Sequence, residues 1–90
     1  MVFTEKVNDK KIKKATRIVE EIFDRFNYRE DIEKALQDNN FKIWNYDMLN
    51  DDEQIWYYDD GSIPNMQVLL LVNWIDGFCW VFKKEKRIML

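Results

Sequence analysis

The hydrophobic positions of this 90-residue chain change their period once. Up to about residue 40 they recur at steps of three and four, as on one face of a helix, and beyond it they tend to alternate, as in strands. The first helix is predicted over residues 9–26. Its apolar stripe contains Ile12, Ala15, Val19, Ile22 and Phe26.

A second, shorter helix is predicted to begin at Tyr28. Asn27 is placed to cap it, and Glu30 follows three residues after that cap, as in a capping box. Asn39 and Asn40 suit the left-handed backbone conformation with which many helices end. The second helix is therefore expected to stop just before the period of the chain changes.

The second half of the chain predicts a sheet. An Asp76-Gly77 pair between two apolar runs is a strong hairpin signal, and a two-residue turn is expected there. Residues 2–6 fit either an edge strand or an extension of the first helix. Together the elements predict one α+β domain over residues 1–90, with one or two N-terminal helices on a roughly four-stranded antiparallel sheet ending in a β-hairpin. The predicted strands cover residues 41–46, 54–58, 66–75 and 78–84.

The predicted hairpin is apolar on both faces. One face contains Leu71, Asn73, Ile75, Phe78, Trp80 and Phe82. The other contains Val68, Leu70, Val72, Trp74, Cys79 and Val81. Two short helices cover only one face of such a sheet. The second face is therefore either covered by loops and the N-terminal segment, or it meets another chain, for example in a homodimer.

Charge is distributed unevenly along the chain. Residues 1–17 contain six Lys or Arg and two acids, whereas residues 45–82 contain seven acids and no Lys or Arg. The net charge of −3 and the pI near 4.9 argue against a general nucleic-acid binder, so direct contact with nucleic acid is not expected. No apolar run approaches the roughly 20 residues of a membrane helix, and Cys79 has no cysteine with which to pair. A cytoplasmic protein without a membrane contact is expected.

The residue types needed for catalysis and metal binding are scarce. The chain has no histidine, and its one serine, Ser62, is not surrounded by a Gly-x-Ser-x-Gly motif. One cysteine and no histidine exclude a zinc site of the usual kind, and the acids around Gly61 do not follow the spacing of a calcium loop. We therefore expect no enzyme, no metal and no cofactor, with a hydrolase that uses carboxylates alone as the last-ranked alternative.

The main candidate site is the stretch NDDEQIWYYDDG at residues 50–61. As a strand it sends Ile55 and Tyr57 to one face and Trp56 and Tyr58 to the other. Trp and Tyr are frequent anchors of protein interfaces, and carboxylates at both strand ends would steer a basic partner. The same pattern also fits a half-buried strand with solvated ends. The predicted partner-binding residues are Asp51, Asp52, Glu53, Trp56, Tyr58, Asp59 and Asp60.

We expect a small, acidic protein-binding protein. In length, acidity and lack of catalytic residues, the chain resembles short inhibitors encoded by phages and mobile elements, such as anti-CRISPR, anti-restriction and immunity proteins. The resemblance covers size and composition only. It implies an inhibitor that blocks a basic partner protein that handles nucleic acid.

The alternative is a nucleic-acid-binding or regulatory module that uses the two basic ends of the chain. It requires that both ends converge on one face of the folded protein. The residues predicted for it are Lys10, Lys13, Lys14, Arg17, Lys83, Lys84, Lys86 and Arg87.

Overall fold

The described part of the chain folds into two helices and one sheet. The computed structural model describes residues 2–4, 10–44, 52–59 and 68–83. The prediction of an α+β fold is confirmed. In chain order the elements are β1 (Val2–Thr4), α1 (Lys10–Arg25), α2 (Arg29–Asp38), β2 (Phe41–Ile43), β3 (Glu53–Tyr58), β4 (Val68–Asn73) and β5 (Phe78–Lys83).

The sheet has five strands in the order β1-β5-β4-β3-β2. The four later strands pair antiparallel, as predicted, and β1 adds to the edge parallel to β5. Of the two alternatives for the N-terminal residues, the edge strand is therefore correct. Residues 45, 46, 66, 67 and 84, which the predicted strands included, lie outside the described residues.

The first helix spans nearly the predicted range and buries Ile12, Ala15, Val19 and Ile22 of its predicted apolar stripe, whereas Phe26 follows the helix and is only partly buried. The second helix begins one residue later than predicted, because Tyr28 is its N-cap, with extended backbone angles and no side-chain capping bond. The prediction that Asn27 caps this helix is wrong. The C-terminal end of α2 agrees with the prediction. Asn40 has a left-handed φ of 70°, and Asn39 Nδ2 donates to the Ala35 carbonyl at 2.8 Å.

The core lies between the helices and one face of the sheet, which we call the covered face. Of the two predicted hairpin faces, the covered one is that of Val68, Leu70, Val72, Cys79 and Val81, which are all buried, whereas Trp74 of the same predicted face lies in the turn and is partly buried. Helix α1 packs over β1, β5 and β4, and α2 packs over β2. The helix residues that complete the core are Ile12, Ala15, Val19, Ile22, Ile32 and Leu36.

The hairpin turn is longer than predicted. Asn73 pairs with Phe78, so four residues, Trp74 to Gly77, connect β4 to β5 instead of two. The Gly77 N–H donates to the Asn73 carbonyl at 2.9 Å, and the Asp76 N–H donates to Asn73 Oδ1 at 2.8 Å. These hydrogen bonds make Asn73 the last residue of β4, two residues before the predicted end of the strand at Ile75. The register differs from the predicted one by two residues, so each strand residue keeps its predicted face.

Helix α1 crosses the sheet from one end to the other. Near its start, Lys14 Nζ lies 5.9 Å from the centroid of the Tyr58 ring, at the last residue of β3. Near its end, Phe23 stacks on Trp74, with ring centroids 6.5 Å apart, directly after β4. We call the end of the sheet with Trp74–Gly77 the hairpin end, and the opposite end, with Tyr58 and Lys83, the basic end.

Candidate functional site

The two aromatic residues predicted as partner-binding anchors are in the core. Trp56 is 0% exposed and Tyr58 is 6% exposed. Both point to the covered face, where Trp56 pairs across the sheet with Leu70 and Tyr58 packs on Phe41, with ring centroids 4.8 Å apart. Their assignment as surface anchors is therefore wrong, because burying such large rings is what holds the helices on the sheet. The residues of β3 that face away from the helices are Glu53, Ile55 and Tyr57.

The described members of the predicted acidic set, Asp52, Glu53 and Asp59, do not form one patch. Asp52 and Glu53 lie at the hairpin end, and Asp59 lies at the basic end, about 20 Å away at about 3.4 Å per strand residue. Asp59 Oδ2 accepts from Lys42 Nζ at 2.7 Å, and this bond and charge raise the pKa of Lys42. Asp59 is thus already paired. Asp51 and Asp60 lie outside the described residues.

The face of the sheet opposite the helices, which we call the open face, carries a row of apolar side chains. The strand registers align Phe3 of β1 with Trp80 of β5, Trp80 with Leu71 of β4, and Leu71 with Ile55 of β3. Phe3 and Trp80 are each 39% exposed, which is high for large apolar residues on a sheet. The row crosses four of the five strands.

Aromatic contacts hold the exposed edge of the open face together. The Phe3 ring lies 5.8 Å from the Trp80 ring, centroid to centroid, and meets Phe78 edge-on at 5.9 Å. Toward the basic end, the open face is inaccessible to solvent at Leu69. This residue lies between Tyr57 and Phe82 and is only 1% exposed. The accessible part is therefore centred on Phe3 and Trp80.

Sequence reasoning recognised this face but missed one of its main residues. The hairpin pattern puts Trp80 on the face where the structure has it, whereas residues 2–6 fit either a strand or a helix, so the sequence gives Phe3 no definite face. The available signal was the alternation of Val2, Phe3 and Thr4, in which the large ring would lie opposite its two neighbours. The parallel pairing with β5, which sets Phe3 beside Trp80, has no local sequence signal.

The described basic residues of the alternative hypothesis lie toward the basic end. Lys10, Lys13, Lys14 and Arg17 are exposed on the first half of α1, which starts at this end of the sheet. Lys83 pairs with Val68 in the last row of β5, one row beyond the pair of Tyr57 with Leu69. Described residues from both ends of the chain therefore converge. The other residues of that hypothesis, Lys84, Lys86 and Arg87, lie outside the described residues.

The described residues offer little for catalysis. Burial raises the pKa of the Cys79 thiol to about 12, so it carries almost no thiolate at neutral pH. No group of three or more His, Cys, Asp or Glu side chains that could hold a metal ion occurs among the described residues. Within the same ranges, no helix has the length and apolar character needed to cross a membrane.

Comparison with known proteins gives no relative. Protein-family models, curated proteins and solved structures were each compared with the chain, and none of them matches. The function is therefore inferred from the surfaces of the described residues.

Proposed function

We propose that the chain is a non-enzymatic protein-binding domain that contacts its partner through the open face of the sheet. The observation that carries the proposal is the pairing of Phe3 with Trp80, two large aromatic residues side by side and each 39% exposed. Trp is among the residues most enriched at the energetic centre of protein interfaces. In this proposal, acidic residues of the stretch predicted from the sequence lie at the border of the site.

The border of the open face supports a partner with basic residues. Asp52, Glu53 and Asp76 lie at the hairpin end, because Glu53 pairs with Asn73 and the Trp74 N–H donates to the Asp52 carbonyl at 2.7 Å. Glu53 points to the same side of the sheet as Ile55. The segment 45–82 contains no Lys or Arg, and the Arg29 guanidinium that reaches this end lies on the Trp74 ring, 5.0 Å from its centroid. Such a border accelerates association with a basic surface and disfavours an acidic one.

The size of the face favours a different protein over a second copy of this chain. Five strands about 4.8 Å apart, with a length of about 20 Å, give a footprint of at most about 400 Å². Two copies packed face to face would bury about 800 Å² in total, whereas stable interfaces usually bury about 1,200–2,000 Å². A dimer through this face alone would therefore be weak. A partner that also contacts the acidic hairpin end would bury more area.

Basic surfaces are typical of proteins that handle nucleic acid, so the proposed partner belongs to that class. The proposed action is inhibition, in which the bound chain blocks the basic surface of the partner.

The test begins with affinity purification on the tagged chain from nuclease-treated lysate of its source or host. The protein retained in stoichiometric amount is then purified and titrated against wild type, Trp80→Ala and Phe3→Ala. We expect at least a tenfold loss of affinity for each variant.

Tyr28→Ala is the matched control. Tyr28 is an aromatic residue that is 70% exposed, but it caps α2 on the other side of the sheet. Its removal should leave the affinity within twofold. Glu53→Gln should mainly lower the association rate at low salt. Equal binding by wild type, Trp80→Ala and Phe3→Ala would show that the partner uses another surface.

A further inference from the structure

Four basic side chains form a stripe along α1. Their spacing of i, i+3, i+4 and i+7 places them on one side of the helix, and all four are exposed. The buried residues Ile12, Ala15 and Val19 lie on the opposite side of the same turns. The stripe is about 10 Å long at 1.5 Å per residue. It consists of Lys10, Lys13, Lys14 and Arg17.

The position of the stripe does not serve helix stability. Positive charge in the first half of a helix opposes the helix dipole, and α1 has no acidic residue in its first turn. The second helix of the same chain has the favourable arrangement, with Glu30 and Asp31 in its first turn. The charges of α1 therefore stand where they cost stability, which points to a role in binding an anion.

A groove runs beside the stripe, between α1 and β1. Its volume is about 410 Å³, enough for a phosphate group. Lys13 and Arg17 line it together with the hydroxyl residues Thr4 and Thr16 and one acid, Glu20, so the cations outnumber the acid by two to one. Thr16 Oγ1 is buried and has no hydrogen-bond partner among the described residues. Because Thr16 lines the groove, its hydroxyl is a donor that a bound anion can use.

The strand next to β1 adds charge at the same end of the molecule. Lys83 is the last residue of β5, and its side chain belongs to the covered face, on which α1 packs. The acids at the hairpin end, including Glu21 and Asp24 near the end of α1, lie far from this group. Among the described residues the basic end thus carries a net positive charge, and the hairpin end carries a net negative charge that Arg25 and Arg29 partly offset.

We infer that the stripe on α1 and the groove beside it bind the phosphodiester backbone of nucleic acid, without reading its sequence. One strand of nucleic acid places a phosphate about every 3.4 Å along the axis, so a stripe of about 10 Å spans about three phosphates, which four cations can match. A single free phosphate would use the groove but not the length of the stripe. The site is separate from the open face, which lies on the other side of the sheet.

The test is a fluorescence anisotropy titration of the full chain with a labelled 20-nucleotide poly(dT) strand and a labelled 20-base-pair duplex, from 25 to 200 mM NaCl. Three to four phosphate contacts predict that log K falls with log salt with a slope of about −2 to −3 for the single strand. Binding should be measurable at the lowest salt and largely lost at the highest, because the net charge of −3 works against it.

Arg17→Gln should lower the affinity at the lowest salt at least threefold, and Lys13→Gln/Arg17→Gln should reduce the slope by about 1.4. Thr16→Val should weaken binding without a change of charge. Lys34→Gln is the control, because it removes one positive charge from exposed α2, where Lys34 pairs with Asp38 at 3.5 Å. Equal losses in Arg17→Gln and Lys34→Gln, or no binding of either probe by the folded wild type at 25 mM NaCl, would overturn the inference.

Discussion

Gln54 accepts a hydrogen bond from Trp74, with 3.0 Å between its Oε1 atom and the indole Nε1 atom. The same oxygen accepts from Trp56 Nε1 at 3.2 Å. The side-chain amide of Gln54 thus accepts from the indole N–H groups of both Trp56, a core residue, and Trp74, the first residue of the hairpin turn. Trp74 is also held between the helices, since it stacks on Phe23 and the Arg29 guanidinium lies 5.0 Å from its ring centroid.

Replacing Gln54 by Leu should destabilise the protein, because both indole N–H groups lose their acceptor. An unsatisfied buried donor costs about 1–3 kcal/mol, and Trp56 is fully buried, so the free energy of unfolding should fall by about 2 kcal/mol. Urea unfolding followed by tryptophan fluorescence measures this loss. Gln37→Leu on the exposed side of α2 is the control. Equal stability of the two variants would mean that the shared acceptor contributes nothing.

The Cys79 thiol should be unreactive in the folded protein. Burial raises its pKa to about 12 from an ordinary value of 9.0. A thiol-reactive dye at pH 8 should therefore modify Cys79 only as fast as the protein opens, and added urea should speed the reaction. Rapid modification of the native protein, at the rate of a free thiol, would contradict the burial of β5.

The same shift predicts how stability depends on pH. The folded state holds the Cys79 proton more tightly than the unfolded state, so this group has no effect on the pH dependence below about pH 9. Between about pH 9 and pH 12 it should make stability fall as pH rises. Urea unfolding of wild type and Cys79→Ala over this range isolates the effect, since the other titrating groups are shared. Parallel curves for the two proteins would contradict the prediction.

The sequence predicted well what local patterns control. The helical stripe ending in Ile22, the left-handed Asn40 and the two faces of the hairpin follow from periodicity and backbone preference, and the structure agrees. These features depend on residues that are close in sequence. Each one is set by a preference that a short window reveals.

The sequence failed where packing between distant segments decides. Alternation along β3 separates Ile55 and Tyr57 from Trp56 and Tyr58, but it does not say which pair the helices cover. The acidic flanks made the second pair resemble a surface site, although the helices bury it. The parallel contact of Phe3 with Trp80 joins residues 77 positions apart and has no local signal. Aromatic residues near acids therefore proved to be an unreliable indicator of exposure.

Gly77 should tolerate substitution only at a cost. Its φ of 73° is in the left-handed region, while nothing lies within 4 Å of the position that a Cβ atom would occupy. The penalty for Gly77→Ala is therefore backbone strain alone, about 1 kcal/mol, which corresponds to a fall in Tm of about 4–8 °C for a domain of this size. Gly77→Asn should lose less, because Asn adopts this conformation more readily. A larger loss for Asn than for Ala would argue against this turn geometry.

The two tryptophans Trp56 and Trp80 separate the sequence-based site from the structure-based one. Trp56 is fully buried, so Trp56→Ala should lose about 3–5 kcal/mol of stability and unfold much or all of a domain this small. Trp80 is partly exposed on the open face, so Trp80→Ala should leave a cooperative thermal transition within a few degrees of wild type. Circular dichroism during heating compares the variants without any knowledge of the partner. If Trp56→Ala stayed folded and Trp80→Ala unfolded, the assignment of the two sheet faces would be reversed, and the acidic stretch with Trp56 and Tyr58 would again be the surface to test.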